Sequence, residues 1–433
     1  MKIVHLSPGA GDDFYCENCL RDVSLIRALR RIGHDASSVP LYLPPTMVGP
    51  ESDEGPEVFF GGVNVYLQQK SALFRRTPRW IDRVFDSPRL LRWAGRKAGM
   101  TAAKDVGETM LSMLRGEHGR QVKELERLVA FLADNERADV VSLSNALLVG
   151  LARRIKEALG AVVVCSLQDE ESYVDALGEP QRSEAWATLG ERARDVDAFI
   201  APSAFYADAM RERLDLPAER FCVVHNAVDT DGLAPAGAPP DPPAVGFLSQ
   251  LSAGKGLDTL AEAFIRLKRT GGPAGLKLRL FGGATGADAP IVRSVQKRLS
   301  QAGVADDVEW PDGFDAESKL PFLQSISVLS VPTRRGEAFG LFVLEALACG
   351  VPVVLPDHGA FPELVEATGG GVLCPPNDPA ALAEALAALL TDTDRAAELG
   401  RRGRAAVLEK FTPDRMAAAV AGLCERLRGA AGS

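Results

Sequence analysis

The chain has 433 residues, 46% of them hydrophobic, which is more than one core holds and suits two domains of ordinary size. A net charge of −9 repels polyanions, which argues against nucleic acid as a partner. The seven cysteines are scattered and odd in number, so a disulfide framework is not expected and a reducing compartment is.

In chain order, residues 3–6 read as a short buried strand, 8–11 as a Gly-containing turn, and 20–31 as a helix ending at Gly33. No basic region leads a long apolar stretch at the start, so no secretory signal is expected and a cytoplasmic location is. Cys16 and Cys19 form the only close cysteine pair. A redox couple or half a zinc site is the sharper reading of them, and a loop entering a helix is the favoured one. Between residues 74 and 97, Trp80, Phe85 and Trp93 stand among eight cations. That stretch reads as a solvated cover over the first sheet, with docking on an anionic membrane or a charged acceptor as its alternative; Pro78 and Pro88 break any long amphipathic helix.

Strand-like runs follow at 140–143, 162–167 and 198–201, separated by helical patterns such as 152–159. Alternation of this kind predicts a parallel sheet covered by helices on both faces. Residues 232–243, rich in Pro, Gly and Ala, mark a boundary. Beyond it the pattern restarts with strands at 245–248, 276–281, 327–331 and 351–355 and helices at 257–268, 291–301 and 340–348. The Ala-rich stretch 380–390 is also helical. The expected fold class is therefore α/β: two Rossmann-like parallel-sheet domains facing across a cleft. The N-terminal one spans 1–225 and the C-terminal one 226–410, with a final helix in 411–433 crossing back. Open parallel sheets bind ligands at the carboxyl ends of their strands, so a donor could sit on one wall and an acceptor on the other.

The segment with most chemistry is Gly336-Glu337-Ala-Phe-Gly-Leu-Phe-Val-Leu-Glu345. A strand ends before it, a polar loop follows, and a helix begins near Phe339 or Gly340, offering free N–H groups and a positive dipole end to a diphosphate. If Glu345 lies on that helix, eight residues after Glu337, the two carboxylates are separated by roughly 10–12 Å. That excludes a glycosidase pair, which needs about 5–5.5 or 6.5–9.5 Å, and suits two hydroxyl-binding groups at opposite ends of a nucleotide sugar.

These residues resemble the nucleotide-sugar-dependent retaining glycosyltransferases of family 4, which have the GT-B fold. The resemblance covers most of the chain and is densest over 223–377. Glu337 and Glu345 match the family's Glu-x7-Glu motif, which implies that the first meets the donor sugar and the second the ribose. Phe339-Gly340-Leu341 matches the turn whose amides hold the phosphate. Residues 249–256, Ser-Gln250-Leu-Ser-Ala-Gly-Lys255-Gly, match the Gly-Arg-Leu-x-x-x-Lys-Gly segment that places cations on the diphosphate. Gly282-Gly283 resembles the Gly-rich strand end, His358 to Glu363 the Gly-Gly-x-x-Pro-Glu loop, and His225 to Asp229 the Asn-Gly-Val-Asp hinge. Trp310-Pro311-Asp312-Gly313 is similar to the segment beside the nucleobase. Asp229-Thr-Asp231 imitates an Asp-x-Asp metal motif but falls inside the hinge match; the resemblance implies no metal and no cofactor, the nucleotide sugar being a co-substrate.

Two positions depart from the family pattern. Gln250 stands where the diphosphate Arg is usual, leaving Lys255 as the cation of that segment and Arg334 or Arg335 as candidate replacements. Gln168, at the end of the 162–167 strand, stands where a His beside the reacting sugar is common, so no pH limb from such a His is expected. Of two glycine loops, 9–13 with Gly9 and Gly11 is favoured over 61–66 for the diphosphate.

The resemblance thus implies a retaining transfer of a hexosyl group from an NDP-sugar, a UDP-sugar first, to an acceptor hydroxyl of a sugar, lipid-linked or small molecule. Lys255 and the amides near Gly340 assist the leaving diphosphate, which takes the acceptor's proton, while Gln168 and Asp169 lie on the acceptor side. Closure about the Asn226 hinge would exclude water. A binding protein that lost turnover and a GT-B epimerase are the alternatives.

Overall fold

A computed structural model of the chain describes residues 1–8, 17–41, 103–311 and 316–431. Gly9, Gly11, Cys16, the 61–66 glycine loop and the 74–97 stretch fall outside the described residues, as does the side chain of Cys19. Two compact units divide the chain: Met1–Val224 together with Met416–Ser433, and His225–Arg415.

The first unit contains β1 (Lys2–Ser7), α1 (Glu17–Arg31), β2 (Asp35–Pro40), α2 (Ala103–Leu114), α3 (Val122–Phe131), β3 (Val140–Leu143), α4 (Ala152–Leu159), β4 (Val162–Ser166), α5 (Glu170–Val174), α6 (Gln181–Ala193), β5 (Ala198–Ala201), α7 (Ala204–Leu214) and β6 (Phe221–Val223). Its strands pair in parallel in the order β2-β1-β3-β4-β5-β6. β4 reads Val-Val-Val-Cys-Ser and is buried throughout, the composition of a parallel strand covered on both faces. Ser203 starts α7 by accepting the Tyr206 N–H, and Gly160 ends α4 in the left-handed conformation.

The second unit runs β7 (Ala244–Leu248), α8 (Leu257–Arg269), β8 (Lys277–Phe281), α9 (Ala289–Gln301), β9 (Val308–Glu309), α10 (Ala316–Gln324), β10 (Val328–Leu329), α11 (Leu341–Ala348), β11 (Val353–Pro356), α12 (Phe361–Thr368), β12 (Gly371–Cys374), α13 (Pro379–Thr391) and α14 (Thr393–Lys410). Its parallel sheet has the order β12-β11-β10-β7-β8-β9. The last helix, α15 (Pro413–Ala431), carries the chain from the second unit into the first, where Arg428 donates to Asp139 at 2.8 Å.

The strand expected over 327–331 pairs regularly only at Val328–Leu329, and the 351–355 strand is shifted to Val353–Pro356 because Pro352 has no N–H to offer the ladder. Strands β2, β6, β9 and β12 were not expected. All four are sheet edges, where one side of the ladder tolerates a sequence such as Asp-Ala-Ser-Ser-Val-Pro.

Candidate active site

In the second sheet the chain leaves β7 towards β8 on one side and β10 towards β11 on the other, so the direction of winding reverses between β7 and β10. Such a switch point opens a crevice at the carboxyl ends of the two strands. The loops that follow β7 and β10 are strapped together there. The Arg334 N–H donates to Gly254 O at 2.9 Å, and a Cβ on Gly256, whose φ is +77°, would lie 1.8 Å from Pro332 O. Across this junction Lys255 Nζ lies 2.9 and 2.7 Å from the two carboxylate oxygens of Glu337. Their side chains are 27% and 13% exposed, so the pair is only partly wet. A third loop backs it: the Ala360 N–H donates to Glu337 O at 3.0 Å, and a Cβ on Gly359 would come within 2.4 Å of Glu337 N.

Gly340, with φ of +92°, caps α11. Phe339 and Leu341 on either side of it are buried, so a ligand at this turn would meet backbone rather than their side chains. The Phe339 ring packs 6.1 Å from His225 and 6.5 Å from Phe411, and His225 Nε2 lies 2.7 Å from Glu363 Oε1. Gly282 and Gly283 end β8 beside the β7 loop, where Gly283 O accepts the Leu251 N–H at 2.9 Å.

Other expected residues are engaged elsewhere. Gln250 donates from Nε2 to Asp288 Oδ2 at 2.7 Å; burial would raise that carboxyl's pKa, but the bonds from Thr285 and Gln250 lower it below its ordinary value. Arg334, a candidate for the missing diphosphate cation, pairs with Asp258. Arg335 is exposed. Glu345 is buried inside α11, and its Oε1 lies 2.5 Å from Lys319 Nζ on α10. Nothing in the sequence singled out Lys319.

The first unit holds a second cluster, at the carboxyl ends of β3, β4 and β5. Gln168 is 6% exposed; its Nε2 donates to Ser144 O at 2.7 Å and lies 3.4 Å from Asp22 Oδ1. Its Oε1 is buried with no hydrogen-bond partner among the described residues. Asp22 also accepts from Arg21 at 2.9 Å and from Ser144 at 2.8 Å, with His5 Nε2 at 3.1 Å. Burial pushes the Asp22 carboxyl up, but the ring of His5 and the Arg21 guanidinium outweigh it and hold the pKa at about 2. Glu170 accepts the N–H groups of Ala146 and Gln168 at 2.8 and 2.9 Å, and the Tyr206 hydroxyl lies 2.8 Å from its Oε2. Burial dominates there and raises the pKa to about 7 in spite of those bonds. Asp169, at φ +61°, accepts the Ser172 hydroxyl at 2.6 Å. Arg21 and Asp22 lie in phase with the buried positions Leu25, Ile26, Ala28 and Leu29 of α1. Charges on an apolar helical stripe were the sequence signal that could have marked them.

Asp229 and Asp231 form a local turn, the Asp231 N–H donating to Asp229 Oδ1 at 3.1 Å. Among the described residues no His, Cys, Asp or Glu cluster is arranged to hold a metal, and no helix is long and apolar enough to cross a membrane.

Two family profiles match the chain, one described as glycosyl transferases group 1 over residues 233–406 and one as Glycosyltransferase Family 4 over 105–231. The lipopolysaccharide core biosynthesis mannosyltransferase LpsB of Rhizobium meliloti is 30% identical over 64% of this chain and 78% of its own length. The D-inositol 3-phosphate glycosyltransferase of Xylanimonas cellulosilytica is 31% identical over 52% of this chain, and the match spans 55%, about half, of that relative. Among solved structures, the sucrose-phosphate synthase of Thermosynechococcus elongatus superposes with a TM-score of 0.72 at 20% identity, covering 99% of both chains.

Proposed function

The chain belongs to glycosyltransferase family 4, with the GT-B fold of two parallel-sheet α/β domains, and from that premise we propose that it moves a hexosyl group from an NDP-sugar, a UDP-sugar first, to an acceptor hydroxyl with retention of configuration. The observation that carries this reading is the Lys255–Glu337 pair, held at the switch point of the second sheet beside the start of α11. Glycosyl transfer needs positive charge at a leaving diphosphate and a hydroxyl-binding carboxylate at the sugar, and these two side chains supply one of each.

In the proposed reaction the bond from the anomeric carbon to the diphosphate oxygen breaks, and its electrons leave with the phosphate. Lys255 and the backbone at Gly340 stabilise that developing charge, so this chain's own groups do what a divalent cation does elsewhere. The acceptor oxygen then bonds to the anomeric carbon from the same face, and its proton passes to the departing phosphate oxygen. Glu337 holds the sugar hydroxyls, Glu345 the ribose, and Gln168 with Asp169 the acceptor side. The acceptor class is a sugar, a lipid-linked sugar or a small polyol.

The test is transfer from radiolabelled UDP- and GDP-hexoses to a panel of such acceptors, with the product anomer read by NMR. Glu337→Ala is expected to abolish transfer while keeping the wild-type melting curve; near-normal transfer by that variant, or an inverted anomer, overturns the proposal. A second reading has its own support. Gln250 is committed to Asp288 and Arg334 to Asp258, so Lys255 is the cation of the β7 loop placed opposite Glu337, and a protein that binds the donor with little turnover fits that reduced charge. Nucleotide-sugar binding by calorimetry with neither transfer nor hydrolysis would favour it.

A further inference from the structure

Helix α11 is apolar along its whole length apart from Glu345, whose side chain is 4% exposed. A carboxylate in such surroundings is costly unless a counter-charge accompanies it. That counter-charge comes from Lys319, whose ammonium lies 2.5 Å from Glu345 Oε1 and whose side chain is itself only 15% exposed. The connections β9 to β10 and β10 to β11 run in the same direction across the sheet, and right-handed crossovers put α10 and α11 on one face. Lys319 stands in the first turn of α10, at the end that opens on the carboxyl edge of the sheet, and reaches Glu345, the fifth of the eight residues of α11.

We infer that Lys319 is a positioning residue for recognition of the donor's ribose: it holds the Glu345 carboxylate in one rotamer, so that the carboxylate accepts from the vicinal 2′- and 3′-hydroxyls of a nucleoside diphosphate. This rests on the proposed function, which gives Glu345 the ribose. A hydrogen bond from a hydroxyl to a carboxylate is strong only when the acceptor oxygens are correctly aimed. Without the ammonium, the buried carboxylate loses its counter-charge and its fixed orientation, and its grip on the hydroxyls is lost although the side chain remains.

The experiment measures binding of UDP, GDP and their 2′-deoxy and 3′-deoxy counterparts by calorimetry to the full chain. For whichever ribonucleotide binds, the wild type is expected to prefer it over the deoxy forms by about ten- to hundredfold. Lys319→Met is expected to bring the ribonucleotide down to the deoxy level while the deoxy affinities move by less than about threefold, and Lys319→Arg restores most of the preference. A merely structural role would weaken all the nucleotides together. If Lys319→Met does not fold, Lys319→Gln, which keeps a hydrogen-bond donor without the charge, replaces it. Loss of the ribose preference in Glu345→Gln but not in the Lys319 variants overturns the inference and leaves the proposed function standing. Full preference in Glu345→Gln overturns both, because the ribose then lies elsewhere.

Discussion

Replacing Glu337 by Gln should strengthen the binding of a nucleoside diphosphate that carries no sugar, even as it destroys transfer. Lys255 is bound by both oxygens of Glu337, at 2.9 and 2.7 Å. A diphosphate must therefore compete with that carboxylate for the ammonium, and also enter beside its negative charge. Two unit charges about 3 Å apart attract by about 5–6 kcal/mol at an effective dielectric constant near 20, which sets a ceiling. The pair is partly solvated, with Lys255 27% exposed. Exposed pairs retain about 1 kcal/mol or less and buried ones more, so a value of about 1–2 kcal/mol is expected here. Glu337→Gln keeps shape and removes charge, so the affinity for UDP or GDP should rise about five- to thirtyfold. Calorimetry at low and high salt reads this directly, and the gain should shrink as salt screens it. Lys255→Met, the control, should weaken binding in either background. Equal or weaker binding by Glu337→Gln at low salt would show that Lys255 and the diphosphate do not meet, and would refute the reasoning.

The raised pKa of Glu170 makes a stability prediction. A carboxyl shifted from 4.5 in the unfolded chain to about 7 when folded contributes stability that is fully present below pH 4.5 and lost as pH rises through 7. That loss is about 3 kcal/mol over the whole window. Urea midpoints measured between pH 5 and 8 should fall along this slope in the wild type and be flatter in Glu170→Gln, and parallel slopes would contradict it. For Gln168, the turnover profile of the wild type should lack a histidine limb, and Gln168→His should introduce one near about pH 6.5, measured as nucleoside diphosphate released from the donor. Identical profiles would mean that residue 168 does not face the reacting groups.

Short continuous apolar runs and period-3.6 patterns were enough to read the central strands and most of the helices that carry the site. The Val-rich run of β4 and the stretch from Gly336 to Glu345 are unambiguous because composition and local conformation agree there. Helix α11 starts at Leu341 with Gly340 as its cap, within a residue of expectation. Edge strands β2, β6, β9 and β12 escaped because an edge strand pairs on one side only and accepts residues a central strand rejects. The partners of site residues were illegible for another reason. Lys255 and Glu337 are 82 positions apart, Lys319 and Glu345 26, and Gln250 and Asp288 38, so only the folded sheet brings each pair together. The Lys319 segment, with Pro321 inside its helix and no distinctive spacing, carries no mark of a functional charge.

The two glutamine departures follow one physical rule. Gln250 donates from Nε2 to Asp288 at 2.7 Å, and Gln168 donates from Nε2 to Ser144 O at 2.7 Å with Asp22 Oδ1 at 3.4 Å. In each case an acidic group or a carbonyl fixes which end of the carboxamide faces it, because the reversed amide would set oxygen against oxygen. At Gln168 the consequence is chemical. Asp22 is held ionised by His5 and Arg21, so the amide nitrogen stays turned towards it and Oε1, which has no partner among the described residues, is left as a fixed acceptor. A fixed, buried acceptor pairs well only with a group that donates, such as a hydroxyl, and rejects an analogue that lacks one, since the oxygen would then stay buried and unpaired. Under the proposed function, glutamine at this position exchanges a titratable contact for a selective one: it gives up sensitivity to pH and gains discrimination between a sugar that carries a hydroxyl there and one that does not.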